Sequence, residues 1–573
     1  MLRLGNSRRR ITIGFVTLAV LVLVLGGRLV QLQGLDGTHY ATTASNQRTY
    51  TQVLPSQRGK IVDVSGNVLA YSVEARAIYA DPKLIKDPVQ TAMALAPLLK
   101  QSPGALEAQL VQPKGFVYLA HGLEPKVGDQ IVNLGLPGIY QLPESKRLHP
   151  AGNVGANIVG FTNADGIGQA GIEQADDKSL TGSPGLLSAM WGRAGEIIPA
   201  SVHKDDPAVP GSSTQLTISS DLQYYAQNAL DAAVKGTKAK GGQLTVQDVK
   251  TGKVMAMAAT PTYNANNPGA TPQLLSNPNV SSVFEPGSAN KLITFAGAVQ
   301  DGLITPRTPF TVPGTIQVAD RTIHDDWVHS PVKWTATGIL AKSSNVGTLM
   351  IADKLGPKTW MDYAKKFGEG QRTGIGLPAE SAGLLPAMKD WSGSTFGNLP
   401  IGQGVAVTSL QLASMYQAIA NDGVRIPPRI IEKVTAPNGT STTPIAPPST
   451  RVVSAKTAAT VRDMLQMVTQ TGGTAPKAAI PGYTVGGKTG TGQQLNSACG
   501  CYSDSSYWST FAGFAPADSP RYVISVMVDS PQTDYMGGDV AAPLFHQVMS
   551  YALKQGGVPP TGAAPAHLPI LAQ

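Results

Sequence analysis

Charge is scarce in this chain. Asp, Glu, Lys and Arg make up 14% of its 573 residues, and a surplus of 8 positive charges is spread thinly along it. Only Arg8-Arg9-Arg10 form a basic run, which excludes an extended nucleic-acid groove, a surface that needs a clustered basic stripe. Cysteine is nearly absent. Cys499 and Cys501 are too few for a disulfide framework and too few for a four-ligand zinc site. The 62 glycines and 43 prolines show no three-residue period, which excludes collagen, and 42% apolar residues exclude a wholly disordered chain. At roughly 100–200 residues per domain, the length fits two or three domains.

Long apolar runs are also lacking, with one exception. Residues 11–27 carry no charge, and Arg28 can snorkel, so the apolar stretch continues through Leu32. That is enough for a membrane-spanning helix of roughly 17–25 residues. Arg3 and Arg8–Arg10 precede it and no acid appears before Asp36, so positive-inside bias keeps residues 1–10 in the cytoplasm and sends the remainder outside. A cleaved signal peptide would have a shorter apolar core and small residues at its cleavage site, and Leu25-Gly26-Gly27 fits that poorly. The expectation is a single-pass anchor at 11–32.

Beyond the anchor, residues 55–72 alternate around Ser65-Gly66-Asn67 as a β-hairpin. The polar, breaker-rich stretch from His203 to Ser213 reads as a linker and divides the chain near residue 205. After it, Ser220-Asp-Leu-Gln223 and Thr408-Ser-Leu-Gln411 read as capping boxes that open helices. Strand patterns at Gln243–Gln247 and Lys253–Ala258 flank a turn, and three more run over Tyr483–Lys488, Tyr507–Phe514 and Arg521–Val528. Five strands with helices between and around them predict an α+β domain, a mostly antiparallel sheet flanked by helices. The stretch from Gly556 is rich in Gly, Pro and Ala and is expected to be mobile.

Ser-x-x-Lys occurs three times, at Ser201/Lys204, Ser288/Lys291 and Ser330/Lys333, so the motif alone says little. Only Ser288 opens an apolar helical run, in which residues i and i+3 share a face and put Lys291 beside the serine. Burial disfavours an ammonium, which would let Lys291 accept the serine proton. Lys-Thr-Gly occurs twice, and the copy at 250–252 is a hairpin turn. The copy at Lys488-Thr489-Gly490-Thr491 ends a strand, where a cation and hydroxyls can face an anionic group. The same stretch matches a phosphate-loop pattern but lacks the helix that pattern requires. Ser343-x-Asn345 supplies a hydroxyl and an amide. His324-Asp325-Asp326 and His329 read as a solvated loop, since no nucleophile elbow accompanies them.

The ordered trio Ser288-x-x-Lys291, Ser343-x-Asn345, Lys488-Thr489-Gly490 is the signature of penicillin-binding proteins and serine β-lactamases. With Arg58-Gly-Lys-Ile-Val-Asp63, Arg147, Gly171-Ile-Glu173, Phe284-Glu-Pro-Gly-Ser288 and Gly402-Gln-Gly404, residues 55–555 resemble a class B penicillin-binding protein of the division-specific, FtsI-type branch. Gly492 departs from the family, which often has alanine there. The resemblance implies a pedestal or dimerisation domain at 33–205, a penicillin-binding/serine β-lactamase-like transpeptidase domain at 206–555 and a tail at 556–573. It implies D,D-transpeptidation of peptidoglycan stem peptides through Ser288, with Lys291 as base, Ser343 as proton relay and Asn345 as orienter. Lys488, Thr489, Gly490 and Thr491 would bind the substrate carboxylate, and the backbone N–H groups of Ser288 and Thr491 would form the oxyanion hole.

The same resemblance implies acylation by β-lactams, no metal or cofactor, an FtsW-type glycosyltransferase among the partners, and a place in the cytoplasmic membrane at the division septum. A β-lactamase, a β-lactam sensor and a non-catalytic division scaffold are the alternatives. In an oxidising setting Cys499 and Cys501 can either bridge or remain two free thiols.

Overall fold

The computed structural model describes residues 7–190, 198, 201–202, 204–496, 499 and 501–573. Arg3, His203 and Gly500 lie outside the described residues. Met1–Gln57 with Gly182–Pro210 form one unit, and Arg58–Thr181 with Gly211–Gln573 form a second.

In the first unit, helix α1 (Ser7–Val30) continues through one π-helical turn at Gln31–Leu35. This single run is long and apolar enough to cross a membrane. A second helix, Gly37–Arg48, leads into a strand at Thr49–Leu54 that pairs antiparallel with Gly185–Met190, which in turn pairs with Lys204–Asp206. Within the stretch read as a linker, Lys204–Asp206 is thus a short strand and Val209 bridges Ser183, and Ser213–Leu216 is a further strand.

In the second unit, Ile61–Val62 and Val68–Ala80 form the expected hairpin around Gly66, which has φ +90°. Ser213–Leu216 pairs parallel with the short strand of that hairpin and antiparallel with Ile431–Thr435. Nearby, Glu173 is fully buried and receives Arg58 Nε and Arg147 Nε, each at 2.6 Å. Burial alone would raise its carboxyl, but His149, Arg147 and Arg58 outweigh that and hold it down at about 2.

The central sheet has five strands: β1 (Gly241–Asp248), β2 (Val254–Thr260), β3 (Gly486–Asn496), β4 (Cys501–Ala515) and β5 (Tyr522–Asp529). Their order is β2-β1-β5-β4-β3, with every pairing antiparallel. Around the sheet lie α2 (Ser220–Thr237), α3 (Lys291–Gln300), α4 (Ala336–Lys342), α5 (Asn345–Leu355), α6 (Pro357–Phe367), α7 (Ser409–Ala420), α8 (Ala455–Thr469) and α9 (Gly537–Gln555). This is the expected α+β architecture. Apolar residues of β1, β4 and β5 share one core with α3, α7, α8 and α9, so the sheet edge β3 and the start of α3 rest on one packed body.

Three local expectations need correction. The α2 cap is Ser219, which accepts from Leu222 N, because the Gln223 side chain is occupied by Met257 N and O across the core. Thr408 and Gln411, by contrast, form a complete capping box. Strand β3 begins at Gly486, three residues later than expected, and runs on to Asn496. The tail expected to be mobile is docked: Ile570 O accepts from Thr335 N, Ala572 N donates to Lys333 O, and Gln470 Nε2 reaches Ala566 O. Leu568 and Ile570 pack against the core. Of the two states open to Cys499 and Cys501, the structure has the bridge.

Candidate active site

Ser288 lies in a 3-10 turn, Gly287–Asn290, that runs directly into α3. The turn is fixed by packing rather than by propensity. Gly287 N donates to Gly402 O at 3.2 Å, and Tyr416 Oη, on buried α7, donates to Ala289 O at 2.8 Å. The helical spacing leaves Lys291 on the same face as Ser288. Lys291 is completely buried.

The second motif reaches the site through a change of helix direction. Helix α4 ends at Ser343, whose backbone is left-handed at φ +61°, a conformation that costs energy for a non-glycine residue and concentrates at functional sites. Ser344 then caps α5 by accepting from Gly347 N at 2.9 Å, and Asn345 begins that helix. This double turn aims Ser343 and Asn345 at Lys291. Lys291 Nζ donates to Ser343 O at 2.5 Å and Asn345 Oδ1 at 2.7 Å, and lies 3.3 Å from Ser343 Oγ.

The third motif comes from sheet edge β3. Lys488, also fully buried, donates to Ser343 Oγ at 2.9 Å, Thr489 O at 3.0 Å and Thr489 Oγ1 at 3.1 Å. Thr491 Oγ1 accepts from Gly537 N at 3.2 Å at the start of α9. Strand β3 passes close to the nucleophile turn. A Cβ on Gly490 would sit 2.2 Å from Pro286 O, and one on Gly492 would sit 2.8 Å from Glu285 O. A Cβ at 492 would therefore force the strand and the Glu285 carbonyl apart.

Two buried lysines share one hydroxyl, and burial is the dominant influence on both. It pushes Lys291 down to about 8, against the pull of Asp326 and Asp325. Lys488 is pushed well below the ordinary lysine value by burial and then by Lys291. A lysine that sheds its proton near neutral pH, linked to a serine hydroxyl that is linked to a second lysine, can carry protons to and from Ser288.

The other copies of each motif are not part of this cluster. Ser201 Oγ is occupied by Met190 N and Ile198 O, and Lys333 lies on an exposed strand position. Lys250 pairs with Asp422 at the surface. The loop read as solvated is exposed at His324 and Asp326, but Asp325 turns inward. Asp325 is 3% exposed, and its carboxylate accepts from Ser344 Oγ at 2.7 Å, His329 Nε2 at 2.9 Å and Val346 N at 3.0 Å. Asn345 Nδ2 donates to His324 O at 3.1 Å and lies 3.3 Å from Asp326 Oδ1. Glu285, one residue of the Phe284–Ser288 segment, has partners that the segment alone does not reveal: its Oε1 accepts from Gly404 N and from Tyr502 Oη, just beyond the disulfide.

The model of the penicillin binding protein transpeptidase domain matches residues 242–550, and that of the penicillin-binding protein dimerisation domain matches residues 53–216. The chain is 42% identical to penicillin-binding protein PbpB of Mycobacterium tuberculosis, over 95% of this chain and 85% of the relative. It is 35% identical to peptidoglycan D,D-transpeptidase FtsI of Escherichia coli, over 96% and 91%. Among solved structures it is similar to penicillin binding protein 3 of Mycobacterium tuberculosis complexed with aztreonam, at 40% identity and TM-score 0.73, covering 90% of this chain and all of that one. With both domain models matched in order and full-length relatives of the FtsI type, the chain belongs to the class B penicillin-binding proteins.

Proposed function

We propose that the chain is a membrane-anchored peptidoglycan D,D-transpeptidase that works through an acyl-enzyme on Ser288. The observation that carries this reading is the hydrogen-bonded series Lys291–Ser343–Lys488 beside the Ser288 turn, in a chain 40% identical to a protein solved with aztreonam and with ampicillin. Lys291, neutral above about pH 8, takes the Ser288 proton as the oxygen attacks the carbonyl between the terminal D-alanines. Ser343 passes a proton to the departing amine, and Asn345 holds Lys291 and the substrate backbone. Lys488, Thr489, Gly490 and Thr491 take the terminal carboxylate, an arrangement suited to charge-assisted hydrogen bonds. The oxyanion forms against the N–H groups of Ser288 and Thr491, where β3 runs beside the turn. An amine from a second stem peptide then attacks the ester.

In this reading residues 1–10 are cytoplasmic, 11–32 span the membrane, 33–205 are the pedestal and 206–555 the transpeptidase domain. The protein works at the division septum with an FtsW-type glycosyltransferase. The test is labelling of the purified full chain with a fluorescent penicillin. The expected result is a label that survives denaturation, disappears in Ser288→Ala and is accompanied by negligible penicillin hydrolysis. Rapid hydrolysis would make it a β-lactamase, and a label retained in Ser288→Ala would remove Ser288 from the chemistry.

A further inference from the structure

Two consecutive aspartates follow the antiparallel hairpin Thr315–Val318/Arg321–His324. Asp325 turns inward and is used up there by Ser344, His329 and Val346. Asp326 stays exposed, yet its place is fixed. Asn345 Nδ2 donates to His324 O at 3.1 Å and lies 3.3 Å from Asp326 Oδ1. The other end of that amide, Oδ1, accepts from Lys291 Nζ at 2.7 Å. One amide group therefore separates an exposed carboxylate from the buried lysine of the Ser288 turn. No further hydrogen bond or ion pair engages Asp326 among the described residues.

This carboxylate works against acylation. Burial lowers Lys291, and Asp326, ahead of Asp325, pulls it back towards the charged form. It pulls likewise on Lys488, against burial and the repulsion of Lys291. A base is weakened by that pull. The donor, moreover, is held by its terminal carboxylate, which a second negative charge at the mouth repels. The second half-reaction has the opposite need. Its nucleophile is an amine, an ammonium at neutral pH, and a carboxylate that no side chain neutralises attracts it. Water, the competing nucleophile, carries no charge.

We propose that Asp326 receives the acceptor amine, as its ammonium, beside Asn345 at the mouth of the site, and so favours cross-linking over hydrolysis of the ester. The role rests on the reading of Ser288 as the acylated nucleophile and Lys291 as base. The captured ammonium loses one proton to water as it leaves the carboxylate for the ester. Neutral Lys291 takes a second proton from the nitrogen as the C–N bond forms. It hands that proton to the Ser288 oxygen as the C–O bond breaks. The charged and titratable groups around Asp326 are Lys291 on α3, Lys488 on β3, and His324, Asp325 and His329 of its own loop. Asp325 is engaged by three donors, so Asp326 is the carboxylate left to meet a cation.

The test gives the purified full chain a D-alanyl thioester as acyl donor and one of two acceptors. D-alaninamide is cationic at neutral pH, and hydroxylamine is uncharged there. The readout is the ratio of aminolysed to hydrolysed product as acceptor concentration rises, for wild type, Asp326→Asn and Asp326→Glu. Asparagine keeps an oxygen for Asn345 Nδ2 and loses only the charge. Asp326→Asn should need about fivefold more D-alaninamide to reach half its maximal ratio, the upper end for an ion pair open to solvent. The hydroxylamine curve should not move, Asp326→Glu should stay close to wild type, and high salt should erase the difference. Penicillin labelling should change in the opposite sense: freed of the pull on Lys291, Asp326→Asn should label faster than wild type at neutral pH. An unmoved D-alaninamide curve, or equal losses with both acceptors, would overturn the proposal. Slower labelling together with both losses would assign Asp326 to holding Asn345 instead. A wild type that forms no ester from thioester or penicillin would refute the reading of Ser288, and the acceptor role with it.

Discussion

Asp325 and Ser344, nineteen positions apart, are joined by a 2.7 Å hydrogen bond in which the serine hydroxyl donates to a buried carboxylate. The same carboxylate accepts from Val346 N at the start of α5, where the helix dipole favours a negative charge. Ser344 sits between Ser343 and Asn345, so a residue outside all three motifs sets the direction in which the second motif points.

Replacing Asp325 by alanine should leave two buried donors unpaired, at about 1–3 kcal/mol each. The expected outcome is a lower Tm and slower penicillin labelling, with Asp325→Asn less affected. Wild-type labelling by Asp325→Ala would show that Ser343 and Asn345 hold their places without it.

Lys291 is pushed down to about 8 by burial, so its neutral fraction falls about tenfold for each pH unit below that. Acylation rates should follow the same slope on the acid side and level off near 8. In stability the sign is fixed too: a depressed lysine penalises folding while it is charged, so Lys291→Met should abolish labelling without lowering Tm at neutral pH. A flat acid limb would remove Lys291 as the base.

Lys488 donates to the Ser343 hydroxyl, whereas Thr491 Oγ1 accepts from Gly537 N and keeps its own O–H to donate. Lys488→Ala should therefore slow acylation by both analogue types, and by carboxylate-bearing ones more, because Lys488 also takes the carboxylate. Thr491→Val should mainly weaken the carboxylate-bearing class. Competition between the two analogue types for labelling separates these outcomes; selectivity confined to Lys488→Ala would assign it to carboxylate binding alone.

At Gly492 an added Cβ would meet the Glu285 carbonyl at 2.8 Å. Gly492→Ala should push β3 away from the Ser288 turn, costing about 1–3 kcal/mol, as overpacking does, and slowing acylation. Thermal unfolding and labelling on one preparation check both.

Glu173 answers two arginines while fully buried. Glu173→Ala should destabilise by about 3–5 kcal/mol, because it strands buried charge. Its carboxyl is held down at about 2, so the stabilisation is complete above the ordinary carboxylate range and is lost only as pH falls towards 2. Urea unfolding at several acid pH values would follow it.

Sequence made the anchor, the five strands and the three motifs legible because each rests on local pattern: an uncharged run, alternation, or fixed spacing on a helix. Asp325 was hidden because its partners lie in another element and its neighbours are polar, the ordinary mark of an exposed loop. The extent of β3 was hidden because Gly486, Gly487, Gly490 and Gly492 are poor strand formers; at Gly490 and Gly492 only a residue without Cβ lets the sheet edge approach the turn. Ser219 and Ser220 are equally good caps by type, and the choice was made by Gln223, which serves the core instead.

The docked segment at 566–572 bears on when the site comes into being. Ile570 O takes the Thr335 N–H at the cap of α4, and a Cβ on Gly338 would collide with that same carbonyl at 2.1 Å. The helix that delivers Ser343 is thus seated by a segment 235 positions further along the chain. During synthesis, Ser288, Lys291 and Ser343 all leave the ribosome well before the segment that seats this helix. The hydrogen-bonded series Lys291–Ser343–Lys488 is then completed late in folding, once the segment near 570 has docked against this helix.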